Sequence, residues 1–193
     1  MTNTNPALGA LVTRLEDAEV LDAPAALLQS LADLLTSSDA MKDLLSGAQL
    51  GHPVHPLLTD IPIGCWTSAS IIDVIAPRSG RSVAQHLTAL GVLSAIPTAA
   101  AGLNDWSATK GGDRRVGVAH AVGNSLALLL EIASWSARRR GRQLRGVALG
   151  MAAIGVATAA GYLGGHLAFG TQSEGPSQPD VVLVETVALI DAS

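Results

Sequence analysis

The stretch from about residue 146 to 169 contains no Asp, Glu, Lys or Arg, and a run of that length and apolarity is best housed in a lipid bilayer. Three similar stretches precede it, at about 57–75, 83–103 and 116–137. The sequence therefore predicts an all-α integral membrane protein whose four spans form an up-down bundle. Composition agrees, since 48% of the residues are hydrophobic and 15% charged, with a mean hydropathy of +0.37, beyond what a soluble domain usually carries. The rival architecture, a soluble alanine-rich bundle, draws on the first stretch, which holds Asp60, Pro62 and Asp73; the uncharged fourth stretch argues against it. Aromatic residues are only 3%, so helix packing must rely on Ala and Gly. The pairs Gly146/Gly150 and Gly161/Gly165 place small residues one turn apart for that purpose.

Residues 1–50 differ in character. They are acidic, with Arg14 and Lys42 as the only basic residues, and Leu27, Leu28, Leu31, Leu34 and Leu35 recur at helical spacing. An N-terminal amphipathic helical arm is predicted, ahead of a membrane domain over 51–170 and a tail over 171–193 that reads as a polar linker plus one strand-like run. The first twenty residues lack the basic start and apolar run of a secretory signal, so the arm is expected to be retained. The arginines of "PRSGR" and "RRRGRQLR" fall on one side of an up-down bundle, which predicts that side to be cytoplasmic and both termini to be extracytoplasmic. Trp106 and Trp135 are expected in interfacial belts. A net charge of −4 and a single cysteine exclude a nucleic-acid footprint and an internal disulfide framework; Cys65 reads as a core residue.

The histidines carry the chemistry. His52 and His55 precede the first span, His120 lies a turn into the third and His166 a turn before the end of the fourth, so all four share one membrane depth. Spans one and three are diagonal in such a bundle, and His120 with His55 or His52 could supply both axial ligands of a haem b, with His166 as substitute. Gly117, Gly123, Gly164 and Gly165 would make room for a ring. A Zn or Cu site built from His55, His120 and His166, or from His52 and His55 with one deeper histidine and Asp60, is a second reading. A third has each imidazole capping a helix, bonding a carbonyl or sitting among headgroups, with no cofactor. Asp60 could fix the tautomer of a ligating histidine or pair with Arg114 or Arg115. Asn124, four residues after His120, reads as an interhelical linker or a pocket floor. Pro62 should kink its span and free a carbonyl.

The segments "GHPVHPLLTDIPIGCW", "GLNDWSATKGGDRRVGVAHAVGN" and "GYLGGHLAFG" together resemble the bacterial membrane family catalogued as domain of unknown function 2231, over about residues 50–170. The resemblance implies a four-helix membrane domain, in actinobacterial members often joined to a C-terminal Rieske iron–sulfur domain. This chain has neither Cys nor His after Gly170, so it lacks the Cys₂His₂ ligands of a Rieske centre. The expectation is an inner-membrane electron-transfer module holding haem b or a metal, with a Rieske protein or respiratory complex as partner. The alternative is a cofactor-free structural or assembly subunit of a larger membrane complex.

Overall fold

The computed structural model describes residues 6–170, whose regular elements are all helical; the linker and strand-like run expected over 171–193 lie outside the described residues. Three short helices form the arm: α1 (Pro6–Glu16), α2 (Asp22–Leu35) and α3 (Asp39–Ser46). Four long helices follow, α4 (Val54–Ile75), α5 (Arg81–Ser107), α6 (Gly111–Arg139) and α7 (Gln143–Gly165), each long and apolar enough to cross a membrane. Helices α4 and α5 pack as one hairpin and α6 and α7 as a second, and α5–α6 and α4–α7 contacts close the bundle with α4 and α6 on its diagonal.

Packing is by small residues, as the composition requires. A Cβ on Gly146 would meet the Arg138 side chain at 2.5 Å and one on Gly150 the Ser134 hydroxyl at 3.3 Å, so this pair sets the approach of α7 to α6. Gly161 and Gly165 have nothing within 4 Å and take no part in that contact.

At the histidine end the helices run further than the apolar pattern suggests. Helix α5 continues through buried Asn104 and Trp106, and α6 begins at Gly111, leaving only Ala108–Lys110 between them. The arm covers this end and gives polar helix residues protein partners. Val12 of α1 packs on Val116 and Leu163, and Ala25 of α2 on Trp106 and Val118. Arg115 binds Asp22 through two contacts of 2.7 and 2.8 Å and donates to the Glu16 carbonyl at 2.9 Å. Arg114 donates to Gln29 at 2.9 Å and lies 4.3 Å over the Trp106 ring. Trp106 is thus a core residue, not a belt residue: its indole donates to the Arg114 carbonyl at 2.9 Å and fills the space left by Gly117. Trp135 is half-buried, with Arg139 5.0 Å from its centroid, and Cys65 is half-buried, not core.

The arginine end holds the deepest charges. Arg138 meets Asp73 at 2.6 and 2.9 Å, with both side chains at most 3% exposed. Ser134 accepts from Arg138 at 3.2 Å and donates to the Gly146 carbonyl at 2.8 Å, and Gln143 donates to Asp73 at 3.3 Å. Removing one partner strands the other without water. Asp73→Asn is therefore expected to cost about 3–5 kcal/mol, read as thermal unfolding in detergent, while the apolar double variant Asp73→Leu/Arg138→Met should recover most of it. Equal loss in both variants would show that packing, not the unpaired charge, sets the cost.

The arm carries a pH dependence of known sign. The Arg115 guanidinium holds the Asp22 carboxyl below its ordinary value. A depressed folded-state value gives stability that is present above the unfolded aspartate's range and is lost as pH falls through the folded value. Acidification below about pH 4 should raise protease cleavage within α1–α2 before the bundle is affected. In Asp22→Asn this acid step should vanish, the arm being equally cleavable at both pH values.

Candidate functional site

Two histidines enter the bundle interior and do so in the same way. His55, in the first turn of α4, places Nδ1 3.0 Å from the Thr98 carbonyl of α5. His120, in α6, places Nδ1 2.8 Å from the Ala160 carbonyl of α7. A carbonyl only accepts, so Nδ1 carries a proton in each ring, and in His120 Nε2 is the nitrogen that accepts from Asn124. In each case a glycine one turn beyond the carbonyl makes room: a Cβ on Gly102 would lie 2.7 Å from His55 Cε1, and one on Gly164 2.7 Å from His120 Cε1. The interval between Thr98 and Ala160 is also that between Gly102 and Gly164, so the two hairpins build the same cradle twice. The two imidazoles are close enough to interact electrostatically, and Asp105 of α5 lies within such range of His55.

Proline chemistry fixes the first cradle. Pro62 has no N–H and leaves the Leu58 carbonyl without its helical donor. The Thr98 hydroxyl, whose one proton is shared between the Leu58 carbonyl at 3.1 Å and the Ser94 carbonyl of its own helix at 2.8 Å, reaches it while the carbonyl of the same residue holds His55. The freed carbonyl expected from Pro62 is thus used to lock α4 to α5 beside the histidine.

The remaining candidate residues have other partners. His52 is exposed, with its ring against the Gly51 carbonyl. Asn124 donates to the His120 carbonyl at 3.0 Å and to its ring Nε2 at 3.1 Å, so it serves its own helix instead of linking two. Asp60 is exposed on α4; the ring nitrogens it was expected to hold are held by the carbonyls of Thr98 and Ala160, and Arg114 and Arg115 are engaged by the arm. Gly117 and Gly123 accommodate Trp106 and Ala160 rather than leaving open space beside His120. His166 stands apart from the other two, its Nε2 3.4 Å from a Glu16 oxygen of α1. Among the described residues the donor atoms that converge within 4.8 Å of one another belong to Glu16, Asp113 and His166, not to His55, His120 and His166. Thr98, Asp105, Glu16 and Asp113 have no sequence signal that points to a histidine; only the fold brings them together.

Four helices of spanning length with lipid-facing flanks and a polar, covered end define a polytopic membrane protein. Residues 51–174 match the family described as predicted membrane protein (DUF2231), and the chain belongs to that family. No curated protein and no solved structure matches it.

The cradle makes a local prediction. Gly164→Ala should displace the His120 ring, seen as a shifted imidazole resonance and lowered thermal stability, whereas Gly165→Ala, with open space around it, should change neither. Equal effects at the two positions would remove the ring contact as the cause.

Proposed function

We propose that the chain is an electron-transfer module of the bacterial inner membrane that holds a b-type haem between His55 and His120. The observation that carries this reading is the shared hydrogen-bond pattern: each imidazole commits Nδ1–H to a carbonyl of the next helix, which orients the ring and leaves Nε2 as the nitrogen that would bind the iron. The donor set suits the group, because the two rings come from diagonal helices with Nδ1 already fixed; seating a macrocycle between them would move the side chains now packed at Gly117 and Gly123. Asn124 has the ring Nε2 and the His120 carbonyl as alternative acceptors, so it can release the ring nitrogen without losing its own hydrogen bond. A bound haem supplies a reversible one-electron couple; the chain's own residues orient the two ligands and, through the arm, cover that end against water. Zn or Cu on the same imidazoles is the alternative occupant.

The arginine-rich loops favour a cytoplasmic arginine end and an extracytoplasmic histidine end. On that orientation the site faces the side on which a Rieske iron–sulfur protein or respiratory complex would dock. A second reading, a cofactor-free structural or assembly subunit, draws on the open positions around Gly155, Gly161 and Gly165 on α7, where another helix could approach closely.

Protein made with adequate haem and purified in mild detergent should show a Soret band and a reduced b-type spectrum. His55→Ala and His120→Ala should each abolish it, and His86→Ala, which alters an exposed residue at the other end, should not. Copurified Zn or Cu without haem would replace the haem by the ion, and neither haem nor metal would leave the structural reading.

A further inference from the structure

We propose that Glu16, Asp113 and His166 form a second site, independent of the haem reading, that binds one divalent transition-metal ion where the arm meets the membrane bundle.

Three separate elements deliver the donors: the last residue of α1, the first turn of α6, and the turn that follows α7. Each delivery has a local cause. Gly112 allows the approach of α1, because a Cβ there would lie 2.7 Å from the Glu16 Cβ; it thereby brings Glu16 beside Asp113. The Arg115 contact with the Glu16 carbonyl, 2.9 Å, fixes the end of α1 without using the Glu16 carboxylate. At His166 the helix widens into a single π turn, His166–Gly170, a distortion that re-aims side chains and recurs at functional sites. All three residues are half-buried, leaving an entry path.

Distance and charge favour an ion over a bare ion pair. The His166–Glu16 separation of 3.4 Å is long for a charge-assisted hydrogen bond, which prefers about 2.7–2.9 Å. It matches the edge of a coordination tetrahedron, about 3.4 Å for metal–ligand bonds of about 2.0–2.1 Å. The three donor atoms already lie within 4.8 Å of one another, so closure needs only carboxylate rotation. Two carboxylates balance a divalent charge, and the nearby Arg115 is committed to Asp22. One imidazole nitrogen with two carboxylate oxygens selects Zn²⁺, Mn²⁺, Fe²⁺ or Co²⁺ over Mg²⁺ and Ca²⁺, which favour all-oxygen shells. Three protein ligands leave at least one position open to water or an exogenous ligand.

The test uses the full chain in detergent, stripped with chelator and titrated with Co²⁺, whose visible absorption reports its ligand field, and then with Zn²⁺ in competition. One Co²⁺ per chain is expected, displaced by Zn²⁺, with affinity at least tenfold weaker in Asp113→Asn, Glu16→Gln and His166→Gln. The Asp113 side chain makes no hydrogen bond or ion pair among the described residues, so Asp113→Asn should retain the metal-free melting temperature and keeps the test decisive if another variant fails to fold. His52→Gln should bind as the parent does, and His55→Ala, which tests the haem reading, should leave Co²⁺ binding intact. Absence of saturable Co²⁺ and Zn²⁺ binding, or binding unchanged in Asp113→Asn, would overturn the site.

Discussion

The ion pair between Asp73 and Arg138 joins α4 to α6 across the diagonal of the bundle, and the rest of the membrane domain is arranged around it. A charge in hydrocarbon is costly unless it faces the interior and is paired. This pair meets that condition with two short contacts and supporting bonds from Ser134 and Gln143. Satisfying Arg138 requires α7 to come close, and Gly146 and Gly150 permit it. Glu131, 2% exposed, shares the same interior and lies within electrostatic range of Arg138. The arginine end is therefore fixed by charge, in a bundle whose buried apolar side chains are mostly alanine.

The histidine end is fixed by a different device. The interval that separates Asp73 from Arg138 is also the interval that separates His55 from His120. Two hairpins of matching design thus face each other, one diagonal carrying a side-chain ion pair and the same diagonal, further along, carrying two imidazoles. Those imidazoles are held by backbone. A helix in lipid normally keeps its carbonyls to itself, but Gly102 and Gly164 thin the surface of α5 and α7 enough for a ring to reach the carbonyl beneath. Glycine here supplies access instead of flexibility.

These two devices explain what could be read from residues and what could not. The four spans, their order and the diagonal placement of α4 and α6 follow from hydropathy and charge, which a sequence displays directly. The partner of a histidine does not, when that partner is a carbonyl: Thr98 and Ala160 are chosen by helix register, and every residue has a carbonyl. Asp60 was the attractive side-chain partner by proximity in sequence, yet it lies on the outward side of α4. Trp106 has the composition of a belt residue and becomes core because the arm covers it. The arm's placement was likewise illegible, since its leucines indicate helices without saying what they pack on; indeed Leu27, Leu31 and Leu34 are 71%, 55% and 73% exposed, and the contacts that seat α2 run through Ala25 and Leu28.

The arm's position changes how the histidine end works as an environment. The arm packs against the end of the bundle where α5 and α6 carry Asn104, Asp105, Arg114 and Arg115. There α5 and α6 extend through these residues, Trp106 closes over Gly117, and the polar groups find protein partners in place of headgroups. The imidazoles of His55 and His120 lie at this same end, each bonded to a carbonyl of the neighbouring helix. The setting of this site is consequently a property of three parts acting together: glycine-thinned helices that expose a carbonyl, a proline that frees a carbonyl of α4 beside Thr98, and a soluble-looking arm held by Arg115 through Asp22 and by Arg114 through Gln29.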